Sequence, residues 1–326
     1  MFTRNDISCR TIFVINGLEG RKLRVSSGEL LLEEKNEETG KNKTLTKIPF
    51  QKVLALLVIG HISITTPLLE KCQRYGVSLI VVKQNLRPVF FWNVTAEANF
   101  LLRQRQYLFP HDDLTIARAL VKNKITNQLK ALSDTRRKDP LSQDAKERCR
   151  NILAEIDSSV NYTRLMGLEG AASRAYFSAF FQDLCWVSRQ PRIRTDAVNA
   201  TLDIGYTLLF NYLECFLRLF GFDLYVGVYH RLWFKRKSLV CDLIEPFRCL
   251  VDKATRNAFN RNQFSEKDFV VTKGEYLLKK ERSGHYHKTF LDVLIPYKND
   301  LFLYVQKYYR CFMGQKTEEK YPNFIM

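Results

Sequence analysis

One segment constrains the fold of this chain more than any other: residues 196–219 are apolar on nearly every side of a helix. Asp196 is a favourable N-cap, because its carboxylate can accept the unpaired backbone N–H groups of the first turn. Gly221 is suited to end the helix. Since a helix without a polar face has to be surrounded by other elements, the segment predicts the central helix of a bundle.

The beginning of the chain has a different pattern. Short apolar or β-branched runs alternate with turn residues about every ten positions, with one helical segment at 67–75, and a hairpin turn is expected at residues 26–28. Beyond this region apolar residues recur at helical spacing. The sequence therefore predicts an α+β protein with a β-rich domain at 1–94, a larger all-helical domain at 95–314 and a loose polar tail at 315–326. Further helices are predicted at 96–108, 114–132, 145–157 and 168–188.

The charge balance points to a polyanionic partner. The chain has 51 Lys and Arg against 34 Asp and Glu, a formal net charge of +17. Such an excess causes self-repulsion and is tolerated most easily by proteins that bind nucleic acid, although a basic protein without that role is the alternative. No apolar run reaches the roughly 18 residues of a spanning helix. Because the start also lacks a signal-peptide pattern, we expect a cytoplasmic protein. The eight dispersed cysteines lack C-x-x-C spacing and indicate buried free thiols.

Several acidic residues and one histidine are candidates for phosphoryl-transfer chemistry, which is commonly assisted by a divalent cation held by carboxylates. Asp242 and Glu245 are three residues apart and would share a helix face. The alternative is an N-capping Asp followed by a first-turn Glu, which Pro246 supports. His230 precedes several basic residues, and the alternative is a packed or turn histidine. Glu169 is expected in the first turn of its helix, where the alternative is a carboxylate favoured by the helix dipole.

Four ordered blocks between residues 164 and 248 carry a family resemblance. Residues 164–177 (RLMGLEGAASRAYF) resemble the R-L-M-G-x-E-G-x-x-A-R-x-Y-F signature of the CRISPR-associated spacer integrases, the catalytic nucleases of adaptation. Residues 196–209 resemble the D-P-V-N-A-L-L…G-Y-S-L-L helix of that family. Residues 221–230 resemble G-L-D-P-x-x-G-F-L-H, and residues 238–248 resemble S-L-A-L-D-L-M-E-x-F-R. With the β-rich start, the resemblance extends over nearly the whole chain.

The resemblance implies a site and an activity. Glu169, His230 and Glu245 fall where the family's divalent-metal ligands lie, with Asp242 as a nearby supporting carboxylate. The metal would be Mg²⁺ or Mn²⁺, of which manganese tolerates an imidazole better. The implied activity is that of a metal-dependent DNA integrase and endonuclease. It inserts short foreign DNA, the spacers, into a CRISPR array by transesterification from 3′-hydroxyl ends.

Basic side chains near the site are predicted to contact DNA phosphates: Arg192, Arg194, Lys235, Arg236, Lys237 and Arg248. The expected partners are double-stranded DNA (prespacer and CRISPR repeat), a second copy of the chain, and the family's small ferredoxin-like adaptation subunit. Two strand transfers need two active sites, so a homodimer or higher oligomer is expected, with the β-rich domain as the dimerisation surface. No membrane is expected as a partner.

The sequence departs from the family pattern in two places. Residues 192–194 (RIR) replace a proline-rich R-P-P entry to the long helix, and residues 231–234 (RLWF) follow the histidine where the family commonly has an acidic residue. Three other functions stay open from the residues alone. One is a structure-selective nuclease that cuts branched DNA without integrating. Another is a non-catalytic DNA-binding protein whose acids only cap helices. The third is an RNA-processing enzyme, which only the family resemblance disfavours, because the sequence itself does not distinguish RNA from DNA.

Overall fold

The computed structural model describes residues 3–36, 40–92, 98–110, 112–135, 137–184, 186–191 and 193–326. The chain forms two compact units. The first, called the β-rich unit, is Met1–Ala98 with Arg218–Gly221; the second, called the helical unit, is Asn99–Leu217 with Phe222–Met326. The α+β class is confirmed. The predicted boundary at 94/95 lies outside the described residues, and the units divide four residues later.

The β-rich unit contains two four-stranded sheets. Its strands are β1 (Thr11–Gly17), β2 (Arg21–Ser26), β3 (Glu29–Lys35), β4 (Asn42–Pro49), β5 (Val53–Gly60), β6 (Ser63–Ile64), β7 (Ser78–Val82) and β8 (Pro88–Trp92), and its helices are α1 (Arg4–Cys9) and α2 (Thr66–Tyr75). The sheet orders are β1-β5-β7-β8 and β4-β3-β2-β6. Strand β5 pairs in parallel with both neighbours and is buried along seven consecutive residues, as strands covered on both faces are.

The hairpin predicted at residues 26–28 is confirmed. Strands β2 and β3 pair in antiparallel register around Ser27 and Gly28, which have φ of 50° and 79°. A two-residue turn with positive φ at both central positions matches the right-handed twist of the strands it joins. The local turn chemistry therefore determines the register of this sheet.

The helical unit is built from nine described helices: α3 (Phe100–Tyr107), α4 (Thr115–Asp134), α5 (Pro140–Glu155), α6 (Tyr162–Phe180), α7 (Ala197–Phe220, whose last three residues belong to the β-rich unit), α8 (Ser238–Ile244), α9 (Arg248–Asn260), α10 (Lys280–Leu294) and α11 (Lys298–Met313). It also contains an antiparallel hairpin of β9 (Phe269–Thr272) and β10 (Glu275–Leu278). The prediction of an all-helical domain was wrong in this respect, because four-residue strands with mostly exposed side chains leave little periodic signal.

Helix α7 has the central position that its composition predicts. The Asp196 carboxylate accepts the backbone N–H of Asn199 at 2.6 Å, which confirms the predicted N-cap. A Cβ atom at Gly205 would lie 2.5 Å from Val251 Cγ1 and 2.7 Å from Phe290 Cε1. Helices α9 and α10 therefore pack directly on the backbone of α7, and the glycine makes that approach possible.

Helix α6 begins earlier than the sequence pattern indicated. Asn161 caps it through a 2.9 Å hydrogen bond from the Arg164 backbone N–H, and it ends at Phe180 rather than at residue 188. Glu169 consequently lies near the middle of the helix, and the prediction of a first-turn position was wrong. Its carboxylate is therefore not one held by the partial positive charge of a helix N-terminus, which acts only within the first turn.

The end of the chain is packed, contrary to the expected loose tail at 315–326. Tyr321 and Phe324 are buried, and the ring of Phe324 lies 4.4 Å from that of Phe247. Asn123 and Asn127, both buried on α4, exchange hydrogen bonds with the backbone of this segment at 2.6–3.0 Å. The buried rings of Tyr321 and Phe324 and the hydrogen-bonded backbone groups therefore hold the segment against the rest of the unit, although most of its residues are polar.

Two further expectations concern the whole chain. Of the cysteines in the described ranges, seven are free thiols; five of these are buried, whereas Cys9 is exposed and Cys241 partly exposed. Within the same ranges, no helix has both the length and the apolar character that crossing a membrane requires.

Candidate active site

Two glutamates of the helical unit converge on one cationic group. The Lys124 ammonium, from α4, is 2.6 Å from Oε2 of Glu245 and also contacts Oε1 of Glu169. Glu245 begins a short 3₁₀ helix, Glu245–Phe247, that directly follows α8, while Glu169 projects from α6. All three side chains are largely buried. Carboxylates that are 76 residues apart in the sequence thus share one positive charge.

Neighbouring polar contacts align the elements that carry these groups. The Asn127 side chain, one turn along α4 from Lys124, donates to the Pro246 carbonyl at 3.0 Å and so ties α4 to the 3₁₀ helix. The Gln128 amide donates to Ser173 at 3.3 Å, and the Ser173 hydroxyl donates to Glu169 at 3.1 Å. Since residues four apart lie on one helix face, these contacts run alongside the Lys124–Glu169 pair and fix its position.

The electrostatics keep Glu245 ionised. Burial raises the pKa of the Glu245 carboxyl, but the charges of Arg248, Lys124 and His230 outweigh it and lower that pKa to about 2. Arg248 pairs with Glu245 at 3.0 Å and lies over the Tyr206 ring. Burial lowers the pKa of the Lys124 ammonium, but the charges of the two glutamates raise it by more, so the pKa is raised overall. The buried charges are therefore mutually compensated.

Asp242 organises the loop that presents His230. Its fully buried Oδ2 accepts the backbone N–H groups of Val228 and Tyr229 at 2.7 and 3.1 Å. Its Oδ1 accepts the His230 backbone N–H at 2.8 Å and lies 2.7 Å from the ring Nδ1. Because a carboxylate only accepts, Nδ1 carries a proton, and in the neutral imidazole the lone pair is then on Nε2. In metal-binding histidines the ring nitrogen that does not bind the metal usually donates to a carboxylate in this way.

The structure also tests the alternative in which Asp242 is the N-cap of a helix. The residue is the fifth of α8 rather than its N-cap, and its acceptors serve the preceding loop. Gly227 is required beside it, since a Cβ there would lie 2.6 Å from Asp242 Oδ2. The N-cap interpretation was therefore wrong, because the carboxylate holds the loop that carries His230.

A cavity of about 230 Å³ opens beside the glutamates, with a lining that includes Lys124, Glu169, Tyr206, Glu245, Arg248 and Asp252. Asp252 accepts hydrogen bonds from Tyr176 and Tyr206, and burial raises its pKa to about 6. His230 lines a separate and smaller recess. The histidine is nevertheless close enough to contribute to the lowered pKa of Glu245.

The donor set fits a hard divalent cation in part. Two carboxylates already converge on one positive charge, and Glu245 Oε2 is buried with the Lys124 ammonium 2.6 Å away. Magnesium and manganese prefer such oxygen ligands. Within the described ranges, however, no group of three or more His, Cys, Asp and Glu side chains is close enough to hold a metal. The Lys124 ammonium stands between the glutamates instead.

The basic residues predicted to contact DNA have different surroundings. Arg248 is paired with Glu245, and Lys237 is committed to the buried Glu214, whose two oxygens lie at 2.6 and 2.7 Å. The remaining ones are Lys235, which is exposed, Arg194 and Arg236, which are partly exposed, and Arg192, which lies outside the described residues.

Sequence reasoning missed Lys124 as a site residue. A signal was available in the four polar residues Asn123, Lys124, Asn127 and Gln128, which lie among the apolar residues Leu120, Val121, Ile125 and Leu132 of the same helix. Three of these side chains, those of Asn123, Asn127 and Gln128, are buried. Buried polar groups need specific partners.

Comparisons with known proteins agree with this fold. A casposase bound to its integration product matches at TM-score 0.75 and 20% identity, over 96% of this chain and 94% of that chain. A chain of a Cas6-RT-Cas1–Cas2 complex matches at TM-score 0.76 and 20% identity, over 97% of this chain but 36% of that chain. The fold is therefore of the class that Cas1 proteins and casposases share.

Sequence similarity is more specific. The family described as CRISPR associated protein Cas1 matches residues 17–291. A protein named CRISPR-associated endonuclease Cas1 1, from Thermodesulfovibrio yellowstonii, is 31% identical over 280 residues, 81% of this chain and 86% of that relative. This chain belongs to the Cas1 family.

Proposed function

We propose that the protein is a divalent-metal-dependent DNA integrase and endonuclease that inserts short foreign DNA into a CRISPR array. The reaction is transesterification by 3′-hydroxyl ends on the repeat. The observation that carries this proposal is the convergence of Glu169 and Glu245 on one positive charge, the Lys124 ammonium, in a Cas1-family chain of net charge +17.

Glu169, Glu245 and Nε2 of His230 are the proposed ligands of Mg²⁺ or Mn²⁺. When bound, the metal polarises a phosphate oxygen and lowers the pKa of the attacking hydroxyl. Asp242 keeps the proton on Nδ1 of His230 and so leaves Nε2 free to bind. Arg248 holds Glu245 in its ionised form. A direct transesterification needs no nucleophilic side chain.

The proposed DNA contacts are Arg194, Lys235 and Arg236, because these predicted basic residues are at least partly exposed and, unlike Lys237 and Arg248, form no ion pair within the described part of the chain. Two strand transfers at separate positions require two active sites. We therefore propose a homodimer or higher oligomer formed through the β-rich unit, acting on prespacer and repeat DNA with a small ferredoxin-like subunit. One structural neighbour is a complex of Cas1 with Cas2, and another is bound to an integration product.

The test is incubation of the protein with a short 3′-hydroxyl duplex, a supercoiled plasmid bearing a repeat, and Mg²⁺ or Mn²⁺. We expect a joined product that disappears when the 3′-hydroxyl is blocked. Glu169→Gln should abolish joining, whereas the matched variant Glu147→Gln, at an exposed acid of α5, should not. Cleavage without joining would indicate a structure-selective nuclease. DNA binding without any reaction in the wild type would indicate a non-catalytic protein.

A further inference from the structure

The segment that carries His230 has no regular secondary structure. Residues 222–237, named here the His230 loop, lie between α7 and α8 and contain no helix or strand. A segment of this kind has no ladder of backbone hydrogen bonds to hold its shape, so its buried N–H and C=O groups need partners elsewhere. Those partners therefore determine where His230 lies.

Asp242 holds the second half of the His230 loop. Its carboxylate accepts the backbone N–H groups of three successive residues, Val228, Tyr229 and His230. These hydrogen bonds do not extend to residues 222–226. The first half of the loop is therefore held by other groups.

Gln106, on α3, holds the first half of the loop. Its Nε2 donates to the carbonyls of Asp223 at 2.9 Å and Val226 at 3.3 Å, and its Oε1 accepts the Asp223 backbone N–H at 2.9 Å. Because a backbone N–H can only donate, Oε1 has to face Asp223, and the NH₂ group then faces the two carbonyls. One side chain thus satisfies three backbone groups of the loop.

The surroundings of Gln106 show that these contacts are specific. The residue is only 4% exposed, although glutamine is usually found at the surface. The neighbouring Tyr107 hydroxyl donates to Oδ2 of Asp223, and Oδ1 of Asp223 accepts the Tyr225 backbone N–H at 2.9 Å. Asp223 is therefore held by its backbone and by its side chain, and loss of the Gln106 amide would leave buried backbone groups without a partner.

The two halves of the loop meet at a tightly packed residue. Gly227 alone separates Val226, which Gln106 holds, from Val228, which Asp242 holds. A Cβ atom at Gly227 would lie 2.6 Å from Asp242 Oδ2 and 2.7 Å from the His230 carbonyl oxygen. Because no free space remains at this point, a displacement of the first half moves the second half as well.

We propose that Gln106 is a positioning residue for His230. By fixing residues 223–226 it determines the position of the imidazole, and so the affinity of the site for its divalent cation. Gln106 acts through the loop and contacts neither the metal nor DNA. This inference rests on the proposed function, because it takes His230 as a metal ligand.

The test compares wild type with Gln106→Met in two measurements. Methionine is unbranched like glutamine but has no N–H donors. Isothermal titration should show Mn²⁺ binding weakened by about 10–100-fold, the range typical for loss of a group that holds a metal-binding histidine. NMR in EDTA follows the ring proton on Nδ1 of His230, which faces Asp242 Oδ1 at 2.7 Å. In the variant this signal should shift or disappear by exchange with water, while signals from outside the loop stay unchanged.

Two further variants complete the test. Gln104→Met, at an exposed glutamine of the same helix, is the matched control and should change neither measurement. Gln106→Glu keeps the acceptor that faces the Asp223 N–H but loses both donated hydrogen bonds. It should weaken Mn²⁺ binding too, and it replaces Gln106→Met in both measurements if that variant does not fold.

The outcomes separate this inference from the proposed function. Mn²⁺ affinity within about two-fold of wild type in a folded Gln106 variant would overturn the inference. Weaker binding with an unchanged His230 ring signal would also overturn it, because Gln106 would then act by another route. Either result, in a wild type that binds Mn²⁺, leaves the proposed function intact. A wild type that binds no Mn²⁺ removes the proposed function and this inference with it.

Discussion

Asp242→Asn tests the arrangement on which the position of His230 depends. Each oxygen of Asp242 serves two donors: Oδ1 serves the backbone and Nδ1 of His230, and Oδ2 serves Val228 and Tyr229. Asparagine keeps one oxygen and replaces the other by an NH₂ group. The placement that loses the fewest hydrogen bonds puts that NH₂ beside His230. The imidazole there can change tautomer and accept a hydrogen bond at Nδ1, whereas a backbone N–H group can only donate.

The substitution should affect both the stability of the protein and its affinity for a metal. In this placement one buried donor, the His230 backbone N–H, faces an N–H instead of an oxygen, which costs about 1–3 kcal/mol. The change of tautomer moves the ring proton to Nε2, so that Nε2 can no longer serve as the proposed metal ligand. Loss of a group that holds a metal-binding histidine typically lowers metal affinity by about 10–100-fold. We therefore expect a folded protein with little or no joining activity.

Urea unfolding gives the free energy of unfolding, and isothermal titration with Mn²⁺ gives the metal affinity. Asp292→Asn, at an exposed acid of α10, is the matched control and should change neither quantity. A free energy within about 0.5 kcal/mol of wild type, together with unchanged Mn²⁺ affinity, would refute the role assigned to Asp242.

Three other substitutions test the surroundings of the site. Lys124→Met removes the cation shared by the buried glutamates and should lower the free energy of unfolding in EDTA by about 3–5 kcal/mol. In thermal melts, Mn²⁺ should raise the Tm of this variant more than that of wild type. Equal shifts in Tm would contradict the idea that the ammonium and the metal occupy the same position. Gly227→Ala places a Cβ 2.6 Å from Asp242 Oδ2 and should cost about 1–3 kcal/mol in urea unfolding, with no change contradicting the close approach. Phe324→Ala removes a buried ring beside the 3₁₀ helix that begins at Glu245 and should cost about 3–5 kcal/mol, whereas a change below about 1 kcal/mol would mean that the end of the chain is not packed there.

Local patterns predicted the elements whose signal is contained in a few adjacent residues. The apolar helix α7 and the turn at Ser27 and Gly28 are of this kind, since periodicity and turn chemistry act over short distances. The start of α6 was misplaced because its cap, Asn161, lies eight residues before Glu169, where no apolar run marks the boundary. The hairpin of β9 and β10 was missed because its strands are short and exposed.

The candidate site depends on contacts that no local pattern contains. The family resemblance selected Glu169, His230 and Glu245, but Lys124 contacts residues 45 and 121 positions away in the sequence. Its role follows only from the packing of α4 beside α6 and the 3₁₀ helix. The function of Asp242 was likewise open. The same spacing of Asp and Glu is compatible with an Asp that caps the start of a helix and with one that hydrogen-bonds a neighbouring loop.

The position of Lys124 has a consequence for how the protein is assembled. In many metalloproteins the ligands repel one another until the ion arrives, so that folding and metal uptake are one event. Here the two glutamates are already balanced by Lys124 and Arg248. The helical unit can therefore complete its folding without an ion at the proposed site, and a chelator should not unfold the chain.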